Sequence, residues 1–584
     1  DWTSNNLTES DISVDSPTNN FATLNPLDKY GESNLDRIRF KEGNLYSYVT
    51  DTAHNRIPAT MGVSSGKFYW EELIWSSSNY FWQDQQASVV ALTGYKNAPN
   101  NGDGNQPGRF ENNGATYHSS GTLYANDNGG SAGWGNSYTK GDIISIALDM
   151  DNGKVWFAKN GNWQASGNPA TGANPAHSGM LTHADTYTAF CYLSYGDSAL
   201  VFNFGQDSSF AGLKPAQGNQ DGNDIGDFHY TPPTGFLALC SKNLPDVAVT
   251  PSEHFNTVLW TGNGSTQSIT GVGFEPNFSW IKSRSIADSH HLFDSVRGAG
   301  YRLRSDSTAA ENYSGTHYLT AFNSDGFALG GDDGVNKNTA TYAAWNWKAN
   351  GSGSSNTNGS ITSTVSANVD AGFSIVGYTG TASNATVGHG LSKAPEMVIA
   401  KNRSDGSYWI VGTDDLTSWS RYIPLNLTNA ETNAPTQFNS TAPTSTVFSI
   451  GTNADVNGSG HNIIAYCFHS VDGYSKVGSY TGNGNANGAF VYTGFRPAFV
   501  MIKAYSASGE WPMYDNKRNP SNVTDHLVRA NATNTETTES DNAEIDMYSN
   551  GFKPRGVSGW QNTSGRGYIF IAFAETPFKY SNAR

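Results

Sequence analysis

The chain has 584 residues, a net charge of −16 and only 15% charged residues, and its few basic side chains are too scattered to form a nucleic-acid or anionic-membrane surface. No apolar run approaches the ~18 residues that a membrane helix needs. The three cysteines, Cys191, Cys240 and Cys467, are odd in number and far apart, which excludes a disulfide framework and predicts buried small side chains.

Residues 1–36 are polar and predict an extended N-terminal segment. The chain begins at Asp1 without a signal peptide, which indicates a processed or truncated piece of a longer protein. Beyond this segment, glycine and asparagine separate short β-branched and aromatic runs, and the 3.6-residue periodicity of helices is essentially absent. The sequence therefore predicts an all-β fold built from β-sandwiches.

Residues 37–245 form the first large predicted unit. Two Asn-Gly pairs, at 152–153 and 160–161, supply the positive φ angles that tight hairpin turns need. The Gly- and Asn-rich stretch 95–139 is long for a loop, and such loops in β-domains are usually functional or mobile. The strongest strand signals lie at 66–71, 143–148, 154–157 and 200–204.

The order and spacing of these signals match a known family. The matching segments are 66–71 (Gly-Lys-Phe-Tyr-Trp-Glu), 141–142 (Gly-Asp), 151–157 (Asp-Asn-Gly-Lys-Val-Trp-Phe), 159–161 (Lys-Asn-Gly) and 202–206 (Phe-Asn-Phe-Gly-Gln). In this pattern residues 37–240 resemble the SPRY family. The resemblance implies a bent antiparallel sandwich of two sheets, with loops at one edge that bind protein segments. The insertion at 95–139 departs from the family pattern.

A motif of an aromatic residue, threonine and glycine returns three times: Trp260-Thr261-Gly262, Tyr378-Thr379-Gly380 and Tyr480-Thr481-Gly482. Its threonines are 379 − 261 = 118 and 481 − 379 = 102 residues apart, the size of an independently cored module and too long for a solenoid repeat. After each copy, a proline opens an apolar run that a lysine closes: Pro276/Lys282, Pro395/Lys401 and Pro497/Lys503. These runs predict strands buried on both faces, each ending in a lysine that reaches water.

Prolines at 232, 233 and 245 mark a boundary near 246–253. We therefore predict three tandem β-sandwich repeats, at 254–348, 373–470 and 474–584. The Gly-, Ser- and Asn-rich stretch 349–372 is predicted to be a linker that is flexible at its start.

Further segments resemble repeats in virion proteins of tailed bacteriophages. The segments that carry this resemblance are 19–26, 371–380, 386–390, 480–484, 493–497 and 572–575. The resemblance implies a place on a phage particle more firmly than it implies a reaction. We expect a non-enzymatic tail-fibre or appendage protein that contacts a host-surface glycan or protein and assembles with other virion proteins. A homo-oligomer, taken as a trimer, is expected because fibres are usually symmetric. The alternatives are a capsid decoration or head-fibre protein and a glycan depolymerase.

The candidate chemical motifs favour simple turns. Residues 62–66 match the G-x-S-x-G pattern of hydrolases, but a β-run follows where a helix is needed. Residues 149–153 hint at a calcium loop, yet the glycine and glutamate of an EF-hand are missing. His290 and His291 are adjacent, so a strand would point them to opposite faces. Residues 325–326 and 332–334 suit solvated turns, with a loop cation as the alternative. We therefore predict no catalytic residue, metal ligand or cofactor.

Three aromatic residues in polar loops are the candidate ligand-binding residues: Tyr117, Trp134 and Trp163. Flat rings beside Asn and Asp side chains suit recognition of a sugar or a protein. The alternative is that these rings fold back over the domain as its lid.

Overall fold

Antiparallel strands make up most of the computed structural model, which describes residues 15–16, 19–31, 38–49, 55–76, 86–91, 114–125, 130–182, 186–193, 198–538 and 543–580. The chain divides into unit 1, Asp1–Asp246, and unit 2, Val247–Arg584. The predicted all-β fold class is confirmed. Much of the predicted N-terminal segment and of the long loop at 95–139 lies outside the described residues. Among the helices described, none is long and apolar enough to cross a membrane.

The described residues of unit 1 form two sheets. The first has the strand order β1-β4-β12-β6-β7-β8, and the second has the order β11-β10-β9-β5-β13-β3-β2 with β14 beside β5. The strands are β1 (Tyr30–Gly31), β2 (Ile38–Lys41), β3 (Tyr46–Val49), β4 (Asn55–Pro58), β5 (Lys67–Ser76), β6 (Gln86–Ala91), β7 (Gly114–His118), β8 (Leu123–Ala125), β9 (Ile143–Asp149), β10 (Lys154–Lys159), β11 (Asn162–Trp163), β12 (Tyr187–Leu193), β13 (Ser198–Asn203) and β14 (Leu237–Ala238).

The hairpin predicted from the first Asn-Gly pair is confirmed. Asp149 and Lys154 pair across β9 and β10, and Gly153 takes the positive φ of 64° that the turn requires. The Asp149 carboxylate accepts from the Asn152 backbone N–H at 3.0 Å, which closes the turn. The second Asn-Gly pair, at 160–161, turns β10 into β11. The two turns lie at opposite ends of β10, and the second one carries Trp163.

The strands of unit 2 are grouped by the three predicted repeat ranges. Repeat 1 contains β15 (Phe255–Thr261), β16 (Gln267–Thr270), β17 (Phe278–Ser283), β18 (His291–Asp294), β19 (Tyr301–Arg302), β20 (Asn312–Tyr313), β21 (Leu319–Asn323), β22 (Gly326–Leu329), helix α1 (Asp333–Asn336) and β23 (Thr341–Trp347). Before repeat 2 lie β24 (Ser354–Asn356) and β25 (Ser363–Asn368).

Repeat 2 contains β26 (Phe373–Thr379), β27 (Ala385–Gly388), β28 (Met397–Asn402), β29 (Trp409–Thr413), β30 (Arg421–Pro424), β31 (Thr432–Asn433), β32 (Val447–Ile450), helix α2 (Ala454–Asn457) and β33 (Asn462–Phe468). Repeat 3 contains β34 (Ser475–Thr481), β35 (Val491–Tyr492), β36 (Phe495–Ala504), β37 (Pro512–Asp515), β38 (His526–Arg529), β39 (Thr537–Thr538), β40 (Ile545–Tyr548), β41 (Gly551–Pro554) and β42 (Gly567–Pro577). Single 3₁₀ turns occur at Glu42–Asn44, Gln164–Ser166, Pro169–Thr171, Met180–Thr182, Pro251–Glu253 and Phe578–Tyr580.

The main sheet has the same order in every repeat: β15-β23-β17-β18, β26-β33-β28-β29 and β34-β42-β36-β37. The aromatic residue of the threonine-glycine motif donates a hydrogen bond to a backbone carbonyl just before the last strand. The pairs are Trp260 to Val335 at 3.3 Å, Tyr378 to Val456 at 2.8 Å and Tyr480 to Gln561 at 2.7 Å. The motif therefore ties the end of the first strand to the approach of the last.

The three repeats share one core, in contrast to the serial modules expected from the sequence. Each repeat has its own apolar cluster on one face of its main sheet. The opposite faces pack together in one cluster that draws on all three repeats. Phe278 stacks on Tyr466 at 4.4 Å and Phe255 stacks on Phe573 at 5.1 Å. The strands at 278–283 and 397–402 are thus buried on both faces, as predicted.

The three lysines that close the long apolar runs are fully buried, so the prediction that they reach water is wrong. Each ammonium instead donates to a backbone carbonyl of another repeat: Lys282 to Thr533 at 3.3 Å, Lys401 to Thr308 at 3.3 Å and Lys503 to Thr428 at 2.9 Å. These contacts run from repeat 1 to 3, from 3 to 2 and from 2 to 1. They join the three repeats in a ring.

The predicted linker at 349–372 is not simply flexible, because it holds β24 and β25. Strand β25 pairs along the free edge of β26, with Ser363 opposite Tyr378 and Asn368 opposite Phe373. Val365 and Ser366 are buried by this pairing. The sequence did not predict β25 because its composition is polar, and only some of its side chains face the core.

Candidate functional site

The structure brings two of the three candidate aromatic residues together in unit 1. Tyr117 lies on β7, and its ring centroid is 5.2 Å from that of Trp134 in the loop before β9. Tyr138 and Phe157 surround the same ring at 5.0 and 5.9 Å. Tyr117 is fully buried, whereas Trp134 is half-buried. Tyr117 therefore supports the loop from below, as the lid alternative describes, and does not display its own face.

Trp163 lies apart from this pair, at the end of the β10–β11 hairpin. It is half-buried and packs against the apolar cluster that contains Trp156 and Phe236. Part of the indole faces solvent next to the exposed Asn162. Trp134 and Trp163 thus remain candidates for contact with a partner, and their binding role stays a prediction.

Gln164 connects the two aromatic positions. Its buried side-chain carbonyl accepts from the Asn136 backbone N–H at 2.9 Å and lies 3.5 Å from the Tyr117 hydroxyl. The Tyr117 hydroxyl also donates to the Asn136 carbonyl. Sequence reasoning missed Gln164 because its partners are 28 and 47 residues away. Its place directly after Trp163 was the only sequence signal.

A charged pair fixes the loop on the other side. Lys159 Nζ lies 3.1 Å from Asp142 Oδ2 and donates to the Ser137 carbonyl at 2.7 Å. Partial burial acts to raise the pKa of Asp142, but hydrogen bonds from Asn160 and the Thr139 N–H, together with the Lys159 charge, lower it on balance. The loop that carries Trp134 is therefore held in a defined shape, which suits a preorganised recognition surface.

Two adjacent buried glutamates lie on β5 of the same unit. Glu71 accepts four hydrogen bonds, from the backbone N–H groups of His229 and Tyr230, the Tyr69 hydroxyl and the Asn203 amide, at 2.7 to 3.1 Å. Burial raises the pKa of Glu71 to about 7, against the lowering effect of these bonds. Glu71 thus has a structural role, since it fastens the segment at 229–230 to the sheet.

Glu72 has a different environment from its neighbour. Its Oε1 accepts from Trp70 Nε1 at 3.3 Å, and its Oε2 is buried without a hydrogen-bond partner among the described residues. Burial raises the pKa of Glu72 well above its ordinary value. The group is enclosed in the core, so it offers no accessible acid for catalysis.

The remaining sequence motifs form structural features. Ser64 lies in a turn that leads into strand β5, so the strand–turn–helix of a hydrolase nucleophile is not formed there. Asp332 caps helix α1 by accepting from Gly334 N at 2.9 Å. Asp325 accepts from the backbone of Gly271 and Gly273, as a solvated turn would. Within the described part of the chain, no cluster of three or more His, Cys, Asp and Glu side chains is arranged to hold a metal ion.

A family model described as "Domain of unknown function (DUF7483)" matches residues 250–577, which is 577 − 250 + 1 = 328 of the 584 residues. The chain therefore belongs to this family. Solved structures similar to the chain include the SPRY domain of human HERC1, at 19% identity and a TM-score of 0.23, covering 31% of this chain and 96% of that one. A human SPRY domain matches at 17% identity and a TM-score of 0.20, covering 28% of this chain and 94% of that one. No curated protein matches the chain.

Proposed function

We propose that this member of the DUF7483 family is a structural and recognition protein of a bacteriophage particle, a tail fibre or appendage that contacts the host surface. In this proposal unit 1 is a SPRY-like sandwich that carries recognition loops, and unit 2 is a rigid building block. The resemblance of the repeat sequences to virion proteins supports the location.

The observation that carries the structural part of the proposal is the ring of contacts in unit 2. Within one chain, each repeat is joined to another by a hydrogen bond from a buried lysine and by packing in the shared aromatic core. Interdigitated cores of this kind are rigid and transmit strain, as a particle component under mechanical load must. A closed arrangement also leaves the outer loops free to vary, because they add little to the shared core.

Immunoelectron microscopy tests the location. Purified particles of the phage that encodes the chain are labelled with an antibody raised against the full chain. Labelling of the tail or its appendages is the expected result. Labelling of the head would replace the fibre role with capsid decoration, and purified particles without label would reject the proposal.

A second experiment tests the non-enzymatic role. The full chain is incubated with host surface polysaccharide, which is then sized by chromatography. Unchanged polysaccharide length after prolonged exposure is expected. Progressive shortening would establish a depolymerase instead. Light scattering of the full chain tests the proposed homotrimer, which a monomeric mass would refute.

A further inference from the structure

Tyr313 is the most exposed large apolar side chain in the described part of unit 2, with 60% of its surface open to solvent. It lies on the short strand β20 opposite Tyr301 of β19, and the two ring centroids are 4.6 Å apart. Tyr313 is the exposed member, whereas Tyr301 is half-buried and its ring centroid lies 6.0 Å from the Arg403 guanidinium. We call Tyr301 and Tyr313 the tyrosine pair.

Two glycines shape the backbone around this ring. A Cβ on Gly300 would lie 2.9 Å from Tyr313 Cε2, and a Cβ on Gly315 would lie 2.7 Å from its hydroxyl oxygen. Any larger residue at either position would push the ring away. The two glycines therefore let the ring lie directly against the backbone.

The other two repeats provide an internal comparison. In repeat 1, Tyr313 lies two residues after Glu311, and repeats 2 and 3 have a glutamate at the equivalent position. The backbone N–H of each glutamate donates to a carbonyl of another repeat: Glu311 to Arg403, Glu431 to Tyr505 and Glu536 to Arg284. The corresponding cross-strand pairs are Arg421 with Asn433 and His526 with Thr538. Repeats 2 and 3 thus form the same strand pair without tyrosine. The fold therefore does not require tyrosine at these two positions, and folding does not explain why an exposed tyrosine is present in repeat 1.

The surroundings of the tyrosine pair are polar but nearly neutral. Asn312 and Ser314 flank Tyr313 in the sequence, and Thr316 and His317 follow them on the exposed surface. Asn312 Oδ1 accepts from the Tyr318 hydroxyl at 3.0 Å, and Ser314 and Thr316 lie 3.0 Å from His317 Nδ1. The nearby charges are already paired. Arg403 binds Glu311 at 2.8 Å, and Arg302 lies 3.5 Å from Asp332.

We propose that the tyrosine pair is a saccharide-binding subsite, in which a sugar ring stacks its C–H face on Tyr313 and its hydroxyls bond the neighbouring amide and hydroxyl side chains. This inference rests on the proposed role in host contact and names a glycan as the ligand. A protein partner would need a contiguous apolar patch and about 800 Å² of surface on each side. A single flat ring with a polar rim is the size of one sugar, and its neutral rim suits an uncharged ligand.

The test uses the full chain and a printed panel of neutral bacterial O-chain oligosaccharides, followed by calorimetry on the best binder. Tyr313→Asn installs the residue that repeat 2 carries and should weaken binding at least ~10-fold. Asn433→Ala is the matched control at the equivalent exposed position and should bind as the wild type does. Both variants should keep the wild-type melting temperature, because both side chains are exposed.

The proposal would be overturned if the panel bound the wild type no better than Tyr313→Asn, or if Asn433→Ala weakened binding equally. Loss of binding in Trp134→Ala but not in Tyr313→Asn would place the glycan site in unit 1 and also overturn it. Particle labelling separates the two proposals. If the particles are labelled but the chain binds no oligosaccharide of the panel, the subsite alone is rejected. If the chain binds the panel but is absent from the particles, the location alone is rejected.

Discussion

Arg403 in repeat 2 binds the carboxylate of Glu311 in repeat 1 through two parallel hydrogen bonds, of 2.9 and 2.8 Å. Glu311 also accepts from the fully buried Arg297 at 3.1 Å. The same arrangement joins repeats 1 and 3, where Arg284 binds Glu536 beside the buried Arg518. The interface between repeats 2 and 3 lacks both arginines. Tyr505 occupies the position of Arg403 and Arg284, and Leu416 occupies that of Arg297 and Arg518. Glu431 is the equivalent glutamate.

Replacing Glu311 with alanine should destabilise unit 2 strongly. The change leaves Arg297 buried without one of its acceptors and removes the partner of Arg403, and breaking a buried pair in this way costs about 3–5 kcal/mol. Urea unfolding followed by tryptophan fluorescence measures the loss. Glu431→Ala is the matched control, because among the described residues its carboxylate meets one arginine, Arg421 at 3.6 Å, and the backbone N–H and hydroxyl of Thr417. Its cost should be about 1 kcal/mol, and equal losses in the two variants would refute the interface assignment.

The glycine of the repeated motif should not tolerate a side chain. A Cβ on Gly380 would overlap the Gly458 carbonyl oxygen, which belongs to the segment that Tyr378 anchors. Gly380→Ala should therefore cost about 1–3 kcal/mol through backbone displacement. Gly406→Ala is the control, since its nearest non-neighbouring atom would be 3.7 Å from the added Cβ. Thermal unfolding of the two variants should separate them clearly, and a similar melting temperature for both would count against the packing role of the motif glycine.

Local signals predicted much of this fold because their causes are local. The Asn-Gly pair at 152–153 predicted its hairpin, since the turn depends on φ angles within four residues. The proline-to-lysine runs predicted doubly buried strands, since a short continuous apolar run without helical periodicity is typical of a strand covered on both faces. The repeat spacing predicted three similar sheets, which share one strand order.

The features that sequence reasoning missed depend on distant partners. Lys401 donates to the Asn402 carbonyl at 2.8 Å, to Ser407 Oγ at 3.0 Å and to the carbonyl of Thr308, 93 residues earlier, at 3.3 Å. The sequence around Lys401 contains no sign of the contact with Thr308, and a lysine at a strand end ordinarily reaches water. The candidate site shows the same limit. The polar surroundings of Tyr117 left open whether its ring is displayed or folds back, and the structure buries it because Trp134, Tyr138 and Phe157 converge on it from separate segments.

The buried lysines should make unit 2 more stable at mildly alkaline pH. Burial lowers the pKa of Lys503 to about 7 and the pKa values of Lys282 and Lys401 to about 8, because the interior disfavours the charged ammonium. An unfolded lysine has a pKa of about 10.4. Between about pH 7 and 10 the unfolded chain therefore holds more protons than the folded one, so the free energy of unfolding rises with pH.

Lys503→Met isolates the contribution of one lysine. The variant should be less stable overall, because the carbonyls of Thr428 and Gly509 lose their donor. Its free energy of unfolding should nevertheless rise less between pH 7 and 10 than that of the wild type, by on the order of 2 kcal/mol. Urea unfolding at half-unit pH steps gives both slopes. Parallel slopes would show that Lys503 does not titrate in this range.

The two adjacent glutamates of unit 1 should respond oppositely to the same substitution. The pKa of Glu72 in the folded protein lies above the unfolded value of about 4.3. As pH rises from 4 towards neutrality, Glu72 therefore loses its proton in the unfolded chain but keeps it in the folded one. The free energy of unfolding falls as a result. Glu72→Gln removes that loss and should stabilise the protein at pH 7 by about 1–3 kcal/mol, with little effect near pH 4.

Glu71→Gln is the contrasting variant. An amide cannot accept all four of the hydrogen bonds that Glu71 receives, so about 1–3 kcal/mol should be lost at pH 7. Denaturant curves at pH 4 and pH 7 for both variants measure the two effects. Destabilisation by Glu72→Gln at pH 7 would contradict the assignment of Glu72 as a buried neutral acid.

The half-buried tryptophans of unit 1 should affect host binding more than stability. Trp134→Ala and Trp163→Ala each remove a ring that is partly open to solvent, so host adsorption should weaken while the protein stays folded. Tyr117→Ala should instead destabilise unit 1 by about 3–5 kcal/mol, because its ring is fully buried beneath Trp134. Adsorption of labelled chain to host cells and circular dichroism melting measure the two effects. Wild-type adsorption in both tryptophan variants, with the fold intact, would remove these loops from the recognition surface.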